Sequence, residues 1–235
     1  MLLVEDASAT ASDALIVEAE RLQAPAGLQH RKVQIHQGGD ALVDGFKAAG
    51  WSAERVVVMV LRSGDQRGDV PPADVREVRF DAVRVLLEEW YAETMDAAEA
   101  RELTDADADS SEACGARWFL AERNGEAAAC CQLLGADGVG QVEQVYTASA
   151  HRGAGLASAV IRAAIAAARE RGDDLVMIMA DADDWPQRLY ERLGFVTVDS
   201  YRSFLRNPAD KGFACQASRL RRACLRRPYI RRPPA

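Results

Sequence analysis

The run Arg152-Gly153-Ala154-Gly155-Leu156-Ala157 follows closely on a strand-like stretch, Glu143-Gln144-Val145-Tyr146-Thr147, and opens into an apolar, alanine-rich segment. A strand that ends in such a turn and passes straight into a helix is suited to holding phosphate. Gly153 and Gly155 let the backbone turn sharply and leave no Cβ between main chain and ligand. The N–H groups of the first helical turn, with the positive end of the helix dipole, attract anionic oxygens. Arg152 adds a charged fork. A plain strand-to-helix connection would use the same residues, so a second signal has to decide.

That signal lies downstream. A second strand, Leu175-Val176-Met177-Ile178-Met179, precedes Asp184-Trp185-Pro186-Gln187-Arg188-Leu189-Tyr190-Glu191-Arg192-Leu193-Gly194-Phe195. Asp184 reads as an N-cap, Pro186 as a first-turn residue and Gly194 as the position just past the helix end. R-x-x-G-x-A after a strand, followed by L-Y-x-x-L-G-F, resembles the GNAT superfamily of acyl-CoA-dependent N-acetyltransferases. The resemblance covers roughly Val75 to Arg206. It implies the acyl-CoA N-acyltransferase fold, an α/β unit with a mixed, mostly antiparallel central sheet flanked by helices. It also implies acetyl-CoA as co-substrate without a metal, and transfer of the acetyl group to a primary amine by direct attack. A catalytically idle acyl-CoA-binding sensor or scaffold is the alternative, because the same turn would support it.

Carried over residue by residue, the resemblance gives backbone N–H groups of Gly153, Ala154, Gly155, Leu156 and Ala157 to the pyrophosphate, supported by Arg152. Val145, Tyr146 and Thr147 would line the pantetheine arm, and a backbone N–H there would polarise the thioester carbonyl. Tyr190 takes the place of the family's helix tyrosine, and a phenol with a pKa of about 10 can protonate a departing thiolate. Its plainer reading is an amphipathic core tyrosine. Glu143, two positions before Val145 and so on the same strand face, would act as direct or water-mediated base. A solvated glutamate competes with that role. Asp183 departs from the pattern, since it stands where the family commonly has a cofactor-contacting asparagine, and an ionised carboxylate accepts but cannot donate. His151 is given no catalytic duty.

Composition narrows the remaining options. The chain has 235 residues, 49% of them hydrophobic, enough for one large or two small domains. Five cysteines, Cys114, Cys130, Cys131, Cys215 and Cys224, show no C-x-x-C spacing, and the three histidines lie apart from them, so neither a disulfide framework nor a zinc site is expected. Strand alternation would bury one of Cys130 and Cys131 and expose the other. No stretch reads as a membrane span, and Glu5 and Asp6 stand where a signal peptide would be basic, so a cytoplasmic location is expected. Residues 207–235 hold Lys211 and seven arginines against Asp210, a net of +7, which leaves −14 on the rest. An acidic body favours cationic partners over nucleic acid, apart from a role of the basic tail. The resemblance implies a small-molecule or peptide amine as acceptor and leaves room for a homodimer. Acceptor contacts are expected at variable positions such as those from Glu88 to Thr94.

These residues need elements to hold them. From Val75 the sequence lays out a strand to Phe80, a helix from Ala82 to Thr94, an acidic helix or loop from Glu99 to Glu112, and strands Arg117–Glu122 and Ala127–Leu134. A turn Gly135–Gly140 and the strand Gln141–Thr147 follow. The helix Leu156–Arg171, the strand Leu175–Met179, the helix Trp185–Leu193 and closing strands within Val196–Leu205 complete the unit. The first 70 residues read as helix Leu15–Leu22, strand Val33–His36, helix Ala41–Ala49 and strand Arg55–Leu61. Shifted by 144 positions, this segment overlays the second half of the complete unit without a gap. Six of fifty aligned positions, Ala19, Ala24, Asp40, Gly50, Leu61 and Arg62, are identical, so the match rests on element order. In this partial copy Ser8 stands in the place of Arg152, no glycine precedes Gly27, and Phe46 replaces Tyr190. The expected organisation is a degenerate N-terminal half-unit (1–62), a linker rich in Gly, Asp and Pro (63–74), a complete acetyltransferase domain (75–206) and an Arg-rich, disordered tail (207–235).

Overall fold

The computed structural model describes residues 1–27, 30–62, 64 and 74–207; most of the expected linker and the tail beyond Asn207 lie outside them. In chain order the elements are β1 (Leu2–Asp6), α1 (Ser12–Gln23), β2 (Arg31–Gln37), α2 (Val43–Ala48), β3 (Ser52–Arg62), β4 (Val75–Val78), α3 (Arg84–Ala92) and α4 (Ala97–Cys114). They continue with β5 (Arg117–Arg123), β6 (Glu126–Ala136), β7 (Val139–Thr147), α5 (Leu156–Arg171), β8 (Leu175–Asp181), α6 (Pro186–Leu193) and β9 (Val196–Arg206). The acidic stretch is a helix throughout: Asp96 caps it by accepting from the N–H groups of Ala98 and Glu99, and Gly115 ends it in the left-handed conformation. The expected closing strands are one long strand, β9. The turn between β6 and β7 narrows to Asp137-Gly138, both at positive φ, which suits a two-residue hairpin. β1 escapes the sequence reading because five residues at the start of the chain carry too short a pattern.

Contacts divide the chain into two compact units. One comprises Met1–Met59, Met179–Arg188 and the strand from Thr197 on; the other comprises Val60–Ile178 and Leu189–Val196. These boundaries differ from the sequence segmentation, because the last strand of the C-terminal segment sits among N-terminal elements.

In the second unit the strands run β8-β7-β6-β5-β4. The β7–β8 pair is parallel, and β7–β6, β6–β5 and β5–β4 are antiparallel, so this is a mixed, mostly antiparallel sheet. Helices cover both of its faces. Cys131 Sγ reaches Val160 O of α5 at 3.2 Å, while the next side chain, Gln132, donates to Ser111 Oγ of α4 at 3.0 Å. Neighbouring strand residues point to opposite faces, so α5 and α4 lie on opposite sides. For the same reason Cys130 and Cys131 are both fully buried, which corrects the expectation that one would reach solvent.

In the first unit the order is β1-β2-β9-β3, with β1 and β2 parallel and β2 and β9 antiparallel. Its core gathers Leu15, Ala19, Val33, Ile35, Phe46, Trp51 and Phe204, with the Phe46 and Phe204 rings stacked 4.0 Å apart.

The partial copy is visible element by element. α1, β2 and β3 begin at Ser12, Arg31 and Ser52, and their counterparts α5, β8 and β9 begin at Leu156, Leu175 and Val196, each 144 residues on. α2 and α6 end alike. Gly50 N donates to Lys47 O and Trp51 N to Phe46 O; Gly194 N donates to Glu191 O and Phe195 N to Tyr190 O, all at 3.0 Å. Both glycines have positive φ, as this double-bonded helix ending requires. The two copies differ at the first turn of their first helix. α1 carries Asp13 in its first turn, which would repel an anion, whereas the first turn of α5 holds no acidic residue.

Candidate active site

The bulge in β7 organises the site. Cys130 pairs with Tyr146 and Gln132 with Glu143, so Gln144 and Val145 together oppose the single residue Cys131. Gln144 takes φ 50°, the left-handed conformation that absorbs the extra residue. Alternation placed Glu143 and Val145 on one face; the bulge breaks that alternation. Cys130 and Gln132 share a face of β6, so their partners Tyr146 and Glu143 share the face covered by α3 and α4. Gln144 and Val145 take the α5 side. Gln141, two positions before Glu143 on the same face, donates to Glu143 Oε1 at 2.6 Å.

The bulge also ends pairing on the other edge. β7 runs parallel to β8 only from Val139 with Leu175 to Val142 with Ile178, yet continues to Thr147. Along this stretch Gln144 Oε1 and Thr147 Oγ1 are buried without a hydrogen-bond partner. Buried polar atoms are rarely left so. β7 then leads into the glycine turn. Gly153 has φ 79° and Gly155 φ 78°, and Gly155 is the N-cap of α5 with no side-chain cap. A Cβ at Gly153 would meet nothing within 4 Å. Open space, left-handed glycines and an uncapped 16-residue helix fit a diphosphate. On these observations the residues present fit acetyl-CoA.

On the α3 side an acidic and aromatic wall faces β7. Tyr146 is buried, its hydroxyl 3.1 Å from Oε1 of both Glu89 and Glu93, and Trp90 stacks on its ring at 5.4 Å. Burial, then the charges of Glu93 and Glu89, pushes the Tyr146 phenol well above its usual range, so it stays a neutral donor. Arg152 lies against this wall: Nη2 is 2.8 Å from Glu93 Oε1, Nε is 3.1 Å from Thr147 O, and the guanidinium carbon is 6.0 Å from the Tyr146 ring centre. Tyr91, next to Trp90, donates to the buried carboxylate of Asp107 and fastens α3 to α4.

Tyr190 is buried at 6% exposure and packs against Phe195 with ring centres 6.2 Å apart. The ending of α6 accounts for this packing, because the two residues flank the helix terminus where an apolar contact is customary. Asp183 belongs to the first unit and is exposed; its N–H donates to Asp181 Oδ1 at 3.0 Å. Asp184, just before α6, accepts from Trp185 N at 2.7 Å. Glu89 and Glu93 fall within the stretch from Glu88 to Thr94 where acceptor contacts are expected, and their four-residue spacing puts both on one face of α3.

Burial raises the Cys130 thiol to about 12 and the Cys131 thiol well above its ordinary value, so neither is a nucleophile near neutral pH. Among the described residues no group of three or more His, Cys, Asp or Glu could hold a metal ion. Nor, among them, is any helix long and apolar enough to cross a membrane.

The mixed, mostly antiparallel sheet flanked by helices is the acyl-CoA N-acyltransferase fold that the sequence resemblance implied. Residues 84–195 match the model of the acetyltransferase (GNAT) family, and this part of the chain belongs to that family. Solved structures with the same fold include a conserved protein of unknown function from Staphylococcus epidermidis, with a TM-score of 0.67 at 12% identity, covering 84% of this chain and 81% of that one. A GCN5-related N-acetyltransferase from Kribbella flavida gives 0.58 at 20%, covering 82% and 74%. A tandem GNAT protein from the clavulanic acid biosynthesis pathway gives 0.58 at 15%, covering 85% and 70%. The tandem protein fits the extra N-terminal copy. A sequence comparison with curated proteins finds no match.

Proposed function

We propose that the protein is an N-acetyltransferase that moves the acetyl group of acetyl-CoA to a primary amine by direct attack, with residues 75–206 as the functional domain and residues 1–62 as a degenerate half-unit. The observation that carries this reading is the course of β7, which leaves β8 after Val142 and runs on towards the uncapped first turn of α5.

Backbone N–H groups from Gly153 to Ala157 would hold the diphosphate, and the part of β7 beyond Val142 would pair with the amides of the pantetheine arm. Acetyl-CoA would supply an activated thioester. Val145, Tyr146 and Thr147 would line the pantetheine arm. Glu143 takes the proton from the attacking amine as the new C–N bond forms. Tyr190 delivers its hydroxyl proton to the sulfur as the C–S bond breaks and recovers a proton from solvent. Glu89 and Glu93 stand beside Tyr146 on the same side of the sheet as Glu143, which favours a cationic acceptor. Asp183 enters no step.

Incubation with acetyl-CoA and pooled primary amines, read by mass, tests the reading. One or more amines should gain an acetyl group. Tight acetyl-CoA binding with no acetylated product from any small amine or lysine-bearing peptide would instead leave the idle sensor.

A further inference from the structure

Arg152 directly precedes the phosphate-binding turn, yet its side chain points the other way, onto Glu93, the Thr147 carbonyl and the Tyr146 ring. We propose that the Arg152 guanidinium is a placeholder for the ammonium group of the acceptor: it fills the cation position against Glu93 until acetyl-CoA draws it to the turn, so the acceptor site opens only behind a bound acyl donor. The inference rests on the proposed acetyl-CoA site and adds how that site recognises its second substrate.

Charge and exposure support it. Glu89 and Glu93 both reach the Tyr146 hydroxyl, and Arg152 places a cation on Glu93. When Arg152 leaves, Glu93 gives up that cation while Glu89 stays close by beside an aromatic ring, an environment that favours a protonated primary amine. Leaving is easy. The Arg152 and Glu93 side chains are 53% and 31% exposed, and a pair that open to water is weak. A diphosphate offers the same guanidinium a bidentate, more highly charged partner. Departure of Arg152 also frees Thr147 O, which lies on the part of β7 without a β8 partner. One side-chain movement would therefore prepare the strand for the acyl donor and Glu93 for the amine.

A double-mutant cycle on the full-length chain tests this by titration calorimetry with acetyl-CoA alone, at low ionic strength. Glu93→Gln releases Arg152 and is expected to tighten acetyl-CoA binding roughly two- to fivefold, the range for an exposed ion pair. Arg152→Gln is expected to weaken binding, and adding Glu93→Gln to it should then change nothing. The same tightening with and without Arg152 would mean general charge repulsion and would overturn the placeholder, as would unchanged or weaker binding in Glu93→Gln. If the unaltered protein binds no acetyl-CoA, the site itself is misassigned and the inference falls with it.

Discussion

At the scale of single residues, Glu143 and Tyr190 carry the proposed proton transfers, and they can be separated because loss of a base and loss of an acid distort opposite limbs of a pH–rate profile. Glu143→Gln should remove the acidic limb and slow turnover by roughly 10²- to 10⁴-fold while leaving acetyl-CoA affinity intact. Tyr190→Phe should lower kcat and alter the alkaline limb without harming the fold. Phe46 already occupies the equivalent place in the first copy, with the same hydrogen-bonded helix ending and an aromatic neighbour, Trp51, at 5.2 Å. Near-normal turnover in Tyr190→Phe, with chemistry rate-limiting, would return that residue to the core. Burial of Cys130 and Cys131 predicts a different pH effect. Their thiols are held above the unfolded value of about 8.5, so the stability they contribute is complete below that pH. It is lost as pH rises towards about 12. Chemical denaturation at pH 7 and 10 should show the loss, and alkylation of the native protein at pH 8 should spare both cysteines.

At the scale of elements, α5 and β7 are expected to act together. Gly155 has φ 78° at the N-cap of α5, where any side chain is strained and a carboxylate would oppose bound phosphate. Gly155→Glu should abolish acetyl-CoA binding in calorimetry while the circular dichroism spectrum stays native; unchanged affinity in a folded variant would remove the turn from the site. Close packing of α5 on β7 is equally constrained, since a Cβ at Gly140 would lie 2.9 Å from Ala168 Cβ. Gly140→Ala should therefore lower thermal stability by about 1–3 kcal/mol, the usual range for an overpacked core, measurable by a melting curve.

At the scale of the whole molecule, β9 ties the end of the described chain to its beginning. Val33 pairs with Phe204, Ile35 with Arg202, and Phe46 stacks on Phe204. A chain starting at Pro72 would expose those apolar partners and should aggregate or melt far below the intact protein. A stable, fully active truncation would show that the N-terminal copy is dispensable.

The sequence by itself determined most helices and strands, the glycine turn and the element order of the 144-residue overlay, because each is written in local signals: apolar spacing, glycines at helix ends, and a motif within a few residues. α5 occupies the expected residues, Leu156–Arg171. What the sequence did not settle depended on partners distant along the chain. The bulge that turns Tyr146 towards Glu143 and ends the β8 pairing arises from register with β6, which local alternation cannot report. Arg152 was expected at phosphate, yet its guanidinium lies on Glu93, 59 positions away in sequence. β9 completes the first unit, although its neighbours in sequence lie in the second. Local chemistry fixes which elements form, and only tertiary packing fixes which of their faces meet.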